Sequence, residues 1–341
     1  MKESTVFPFV RIVGQEEMKK ALLLNVLDPK IGGVLIRGEK GTAKSTTVRS
    51  LVQILPEVVS SKGCRFNCDP ASPKNMCDEC VTRYKDGELE EVARNMKVVE
   101  LPLNATEDRV SGSLNIEHIL TTGKRMFEGG VLAEANGNVL YVDEVNLLDD
   151  HIVDLLLDSA AMGRNYVERE GVSFSHPSRF ILVGTMNPEE GSLRPQLLDR
   201  FGMCVDIKGE RNADTRLKVI KSRLEYDEDP EKFIEDSMEE TLALKRRLTE
   251  AREDLKKVTM SDDVMNIITR TAIKYGMEGH RSDIAMVRAA KANAALNGRN
   301  EVTREDIAET AGSVLRHRIK SGPFEEASFK QEEFLRWIRG Y

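Results

Sequence analysis

The stretch Gly38-Glu39-Lys40-Gly41-Thr42-Ala43-Lys44-Ser45, close behind the apolar run Val34-Leu35-Ile36, restricts the fold more than any other part of this 341-residue chain. The apolar run reads as a short buried strand, and the glycines free the backbone for a tight loop. From Thr46 to Leu55 the spacing turns helical, with Val48, Leu51, Val52 and Leu55 on one face. Strand, glycine-bearing loop and helix start is the context in which backbone N–H groups converge on phosphate oxygens. In it Lys44 adds positive charge near the β- and γ-phosphates, and the Ser45 hydroxyl is placed to ligate Mg²⁺. The position before the lysine, usually glycine, is Ala43; alanine is a strong helix former and serves there if the helix has begun by that residue.

Other stretches supply the rest of a phosphoryl-transfer site. Val139 to Val142 form a buried strand ending in Asp143 and Glu144, which delivers two carboxylates to the sheet edge where ligands bind in open α/β folds. Asp143 would hold Mg²⁺, and Glu144 would polarise the attacking water. A strand at Val98–Leu101 precedes Glu107, Asp108 and Arg109, a solvated charge cluster. The strand Phe180–Val183 leads to Asn187, whose amide is placed to touch water or γ-phosphate. Arg200 ends an amphipathic segment and faces solvent; on one subunit it is a surface charge, and on a ring it reaches the neighbour's γ-phosphate as an arginine finger. Near the N-terminus a helix from Glu16 to about Leu27, ended by Pro29, either wraps the adenine or packs on the sheet.

Four of the five cysteines, Cys64, Cys68, Cys77 and Cys80, fall within seventeen positions in two close pairs. Two Cys-rich turns brought together by a hairpin offer four thiolates in a tetrahedron, which suits structural Zn²⁺ or, with the same ligands, an iron–sulfur cluster. A redox dithiol or plain loop cysteines are the alternatives. Cys204 lies in an apolar strand and reads as core.

From residue 213 helical periodicity takes over, at about Ala213–Leu224, Pro230–Lys256, Ser261–Tyr275, Ile284–Leu296, Arg304–Ile319 and Phe329–Trp337. Ser261 and Thr303 are N-cap candidates, Gly276 and Gly298 C-cap candidates. Arg281, just ahead of one of these helices, is either a surface residue or a phosphate contact from the lid side. Two domains are expected: residues 1–212, α/β and nucleotide-binding with a Cys-rich insert at about 60–84, and residues 213–341, all-α. A formal net charge of −7 and one tryptophan argue against a nucleic-acid-coating or base-stacking protein. No apolar run is long enough to span a membrane, and a cytoplasmic location is expected.

These pieces together resemble the AAA+ ATPase subunit I of magnesium chelatase and its cobalt-chelatase relatives. The resemblance is carried by Ala105-Thr106-Glu107-Asp108-Arg109-Val110-Ser111-Gly112, by Tyr141 to Asp150, by Val167 to Val172 and by Asn187 to Gly202. It implies ATP as the nucleotide and an αβα AAA+ core with a mostly parallel sheet. It implies β-hairpin inserts within 112–137 and 163–180, and a separate all-α domain. It also implies an arginine finger at Arg200, sensors at Asn187 and Arg281, and a homo-oligomeric ring, commonly a hexamer. That ring works with a D-type AAA+/integrin-I subunit and a large tetrapyrrole-binding subunit, and ATP hydrolysis drives insertion of Mg²⁺ or Co²⁺. A MoxR-like AAA+ remodelling chaperone that matures a metalloenzyme shares the same ATP chemistry. A DNA motor would carry a basic pore hairpin, whereas the insert Phe127 to Glu134 is acidic and apolar.

Overall fold

The computed structural model describes residues 5–114, 121, 127–169, 172–319 and 329–340. Among these the strands are β1 (Val34–Gly38), β2 (Glu57–Ser61), β3 (Glu91–Asn95), β4 (Val98–Leu101), β5 (Ser113–Leu114) and β6 (Phe127–Glu128). They continue with β7 (Val139–Val142), β8 (Arg164–Arg169), β9 (Val172–Pro177), β10 (Ile181–Met186) and β11 (Met203–Ile207). Five of them form one sheet in the order β11-β1-β10-β7-β4. Its β1–β11, β7–β10 and β4–β7 pairings are all parallel. Parallel strands covered on both faces need continuous apolar runs, and β7 and β10 are buried at every position. The fold class is thus the expected α/β core followed by helices.

The chain divides into two compact units, Met1–Ile54 with Thr185–Tyr341, and Leu55–Gly184. In the first unit, β1 and β11 run in register from Val34↔Met203 to Gly38↔Ile207. Arg37 forks onto Asp206 across that pair at 2.7 and 3.1 Å. Cys204 is fully buried there, and burial pushes its thiol up to about 12, so it is a core residue as read.

The helices of this unit lie close to their predicted places, with two differences. The long helix expected over 230–256 is two, Pro230–Asp236 and Met238–Asp254. The Ser237 hydroxyl between them donates to the Ile234 carbonyl at 2.8 Å, and such a local bond competes with the helical ladder. The helix after the phosphate loop spans only Lys44–Ser50 and tightens to a 3₁₀ turn at Leu51–Gln53. That rotation leaves Val52 at 40% exposure while Val48, Leu51 and Leu55 are buried. Further on, Thr303 forms a capping box with Asp306, which Arg299 grips at 2.6 Å through both terminal nitrogens.

In the second unit β2 and β3 pair antiparallel and bracket the cysteine-rich segment. The β5–β6 and β8–β9 pairs are the hairpins expected within 112–137 and 163–180. Glu107, Asp108 and Arg109 are exposed, as expected of a charge cluster, on a short helix capped by Thr106. The sequence pattern also predicts a helical segment from Ile116 to Phe127, and most of that stretch lies outside the described residues.

Candidate functional site: a phosphate loop, a carboxylate edge and a cysteine knot

The loop after β1 owes its course to three special positions. A Cβ on Gly38 would meet the Ile207 carbonyl oxygen at 2.5 Å, so only glycine lets the strand leave the sheet there. Gly41 has φ +80° with open space over it. Ala43 has φ +61° and ψ 19°, the left-handed region, and the helix begins only at Lys44. The expectation that helix has started by Ala43 is therefore corrected: this elbow is where glycine is cheapest, and alanine holds it at a cost of about 1 kcal/mol. The Lys44 ammonium lies back over its own loop, donating to the Gly38 carbonyl and, at 2.8 Å, to the Glu39 carbonyl. The Thr42 hydroxyl donates to the same Glu39 carbonyl at 2.8 Å, and Lys40 pairs with Glu190. Ser45 is half-buried in the first helical turn.

Also in this unit, Asn187 follows β10 directly and is 3% exposed, its side-chain oxygen accepting from the Glu189 N–H at 3.2 Å. Arg200 stands in the turn after the short helix Pro195–Leu198 and is half-buried. Sequence reasoning missed the residue that builds this turn. The Arg318 side chain is 4% exposed and donates to the Asp199 carboxylate at 3.0 Å. It also donates to the carbonyls of Asp199, Phe201 and Gly202 at 3.0, 2.6 and 3.2 Å. Burial pulls its pKa down and Asp199 opposes the shift. Arg281, the first residue of the helix Arg281–Leu296, reaches the same Asp199 carboxylate at 2.7 Å. The structure thus joins Arg281 to the turn that carries Arg200. The basic triplet Arg316-His317-Arg318 behind a buried helix was the available signal for the clamp.

In the second unit Asp143 and Glu144 follow β7 and are half-buried. Glu144 has φ +51°, rare for a non-glycine residue and typical of side chains that surrounding structure aims at a function.

The same unit gathers the four cysteines. The β2–β3 pairing closes the base of their loop; Cys64 and Cys68 flank a turn in which Asn67 takes φ +48°, and Cys77 caps the helix Asp78–Lys85, which carries Cys80. Their four sulfurs lie within 4.8 Å of one another, three of the residues buried and Cys64 half-buried. Backbone N–H groups of Phe66 and Cys77 point at the sulfurs of Cys64 and Cys68, at 3.3 and 3.2 Å. Bonds from the Cys68 and Cys77 thiols pull the Cys64 pKa down, and the Cys64 sulfur in turn pushes Cys68 and Cys77 up. Burial, then Cys64, pushes Cys80 to about 12. None of the cysteines is in a disulfide.

A model of the AAA domain (dynein-related subfamily) matches residues 86–201, and a model of the AAA lid domain matches residues 265–336. With the five-stranded sheet and its glycine loop, these define an AAA+ ATPase. The chain is 54% identical over 336 residues to the magnesium-chelatase subunit ChlI homolog of Methanocaldococcus jannaschii, covering 98% of this chain and 92% of that protein. It is 51% identical to the chloroplastic magnesium-chelatase subunit ChlI-2 of Arabidopsis thaliana, covering 95% of this chain and 78% of that protein. Among solved structures it resembles a chain in the cryo-EM-based complex of magnesium-chelatase subunits BchI and BchD, at 44% identity and a TM-score of 0.55, covering 97% of this chain and 99% of that one. The chain belongs to the ChlI/BchI family of magnesium-chelatase subunits.

Proposed function

We propose that this chain is the ATP-hydrolysing motor of a metal chelatase, working in a homo-oligomeric ring, a hexamer, whose motion drives insertion of a divalent metal into a tetrapyrrole held on a large partner subunit. Mg²⁺ is the favoured cargo and Co²⁺ the alternative. The carrying observation is the 54% identity that runs through 98% of the chain, phosphate loop and lid helices alike, to a protein named as a magnesium-chelatase subunit homolog. The likeness to a chain in the BchI–BchD complex supports a D-type AAA+ subunit as the second partner. The reading includes a cytoplasmic location, although plant relatives are named chloroplastic. Among the described residues no helix is long and apolar enough to cross a membrane.

Residues 38–45 hold the ATP phosphates by their N–H groups, and the open space over Gly41 suits that role. Ser45 and Asp143 hold Mg²⁺, which when bound screens charge on the transferring phosphoryl group. Lys44 exchanges its two loop carbonyls for phosphate oxygens. Glu144 orients the attacking water, and Asn187 holds it from beside β10. Arg200 works on the neighbouring copy's nucleotide, because a head-to-tail ring presents each finger to a foreign site. The Arg281–Asp199 pair ties the lid helix to that finger's turn, so loss of the γ-phosphate is felt by the helical region.

Mixing variants tests the shared site. Arg200→Ala and Lys44→Ala are each expected to be inactive alone. Mixed one to one, they regain about a quarter of wild-type ATPase, since one interface in four pairs an intact loop with an intact finger. A mixture no faster than its components would refute the trans finger. Metal insertion is read separately, by tetrapyrrole fluorescence with the partner subunits, Mg²⁺ and Co²⁺.

A further inference from the structure

ATP chemistry makes no use of Cys64, Cys68, Cys77 and Cys80. We propose that these residues hold one Zn²⁺ ion as four thiolates, and that the ion braces the β-hairpin inserts of the second unit.

The geometry fits a single ion. Zinc–sulfur bonds of about 2.3 Å in a tetrahedron space the sulfurs about 3.8 Å apart. The Cys64 and Cys77 sulfurs are 3.9 Å apart, and the whole set lies within 4.8 Å. A [4Fe–4S] cluster puts each thiolate on a different iron and a [2Fe–2S] cluster puts a pair on each of its irons, with sulfide between. Cysteine sulfurs on different irons therefore stand well apart; the space here, with all sulfurs within 4.8 Å, is too small. A redox dithiol needs an accessible sulfur, and three of the four cysteines are buried. The two backbone N–H groups aimed at sulfur favour the thiolate form that a metal takes. Binding displaces the thiol protons to solvent, and no oxidant or reductant is involved.

What the ion would hold is visible in the packing. Phe66, Cys68, Met76, Cys77 and Cys80 share a buried cluster with Phe127 of β6 and Val167 of β8. Phe174 of β9 stacks on Phe127 with ring centroids 4.0 Å apart, and Phe66 stacks on His176 at 5.0 Å. Arg65 donates to the Phe127 carbonyl at 3.0 Å, and Asn136 donates to the carbonyls of Phe66 and Asn67 at 2.7 and 3.1 Å. The turn between the first two cysteines is therefore wedged under both hairpins, and a metal that fixes the turn fixes their footing.

The full chain, purified under reducing conditions without added metal, is expected to carry about one zinc by elemental analysis, without iron or acid-labile sulfide. After chelation, added Co²⁺ should give the intense visible absorption of a tetrahedral cobalt tetrathiolate, which Zn²⁺, with a filled d shell, lacks. Cys68→Ser should lose the zinc, and Cys204→Ser should keep it. If Cys68→Ser does not fold, Zn²⁺ titration of the reduced metal-free wild type against a chromophoric chelator decides the matter alone. Bound iron with labile sulfide, or no zinc uptake by that protein, would overturn the site. For the brace, zinc removal should speed limited proteolysis within 164–177 by about tenfold. Unchanged cleavage there would leave the ion without the role assigned to it.

Discussion

The phosphate loop and the cysteine knot both begin where a strand ends, at β1 and at β2, and both turn through a left-handed residue that is not glycine, Ala43 and Asn67. The functions proposed for them use opposite parts of the chain. In the loop the main chain would be the ligand, and most side chains would only permit its course, with Lys44 the exception. In the knot the main chain would only position sulfur, and the four side chains would be the ligand. A site made of backbone is readable as an ordered string, because backbone geometry is local. A site made of side chains needs its parts brought from separate turns, and spacing can only suggest it.

The comparison breaks most sharply by exchange of losses. Lys44→Ala is expected to lower ATP turnover by about 100-fold or more, since the ammonium meets charge in the transition state. It should leave zinc content and urea midpoint untouched. Cys77→Ser is expected to do the reverse in equilibrium unfolding, costing about 3 kcal/mol or more through the lost metal, while ATP still binds. Phosphate release, zinc content and urea melts on both variants make the check. A variant that lost both properties would show that the two regions are not separable.

Those expectations also mark how far sequence reading reaches. The limits of β4 and β7, the helix Glu16–Leu27 and the core position of Cys204 were legible because apolar period and length specify them. The carboxylates of Asp143 and Glu144 were legible as a strand end. The left-handed turns at Ala43 and Glu144 were not, since the side chain at such a position says nothing of its φ. Arg318 was not either: Asp199, Phe201 and Gly202, which it holds, lie more than a hundred residues away, and the basic triplet at 316–318 marks a cluster of charge without saying that one of its arginines is buried. The break at Ser237 escaped because one hydroxyl decided between one helix and two.

A smaller effect separates the turn that carries Arg200 from the rest of its unit. The His317 Nε2 lies 3.0 Å from the Phe201 carbonyl, and burial, helped by Arg318, holds its pKa well below the ordinary range. The folded imidazole is therefore neutral, while the unfolded one takes a proton below about pH 6.5. Its stabilising share is complete above that pH and is lost as pH falls from there toward the folded value, at up to about 1.4 kcal/mol per pH unit. Urea midpoints from pH 7.5 to 5 should fall more steeply for wild type than for His317→Gln, which keeps a donor and cannot titrate.

The smallest expected effect tests the two elbows against each other. Ala43 holds φ +61° with a Cβ crowding the adjacent carbonyl, and Ala43→Gly removes that strain. Glycine also widens the unfolded ensemble, which offsets part of the gain. The net expectation is a stabilisation of about 0.5 kcal/mol in urea melts. Asparagine at φ +48° is already among the side chains that tolerate the left-handed region, so Asn67→Gly should gain nothing and lose about as much through unfolded-state entropy. Opposite signs at the two positions would show that the phosphate loop keeps a strained residue where the knot has a relaxed one. A loss at both positions would mean that the loop around Ala43 adjusts, and that the absent glycine costs this chain nothing.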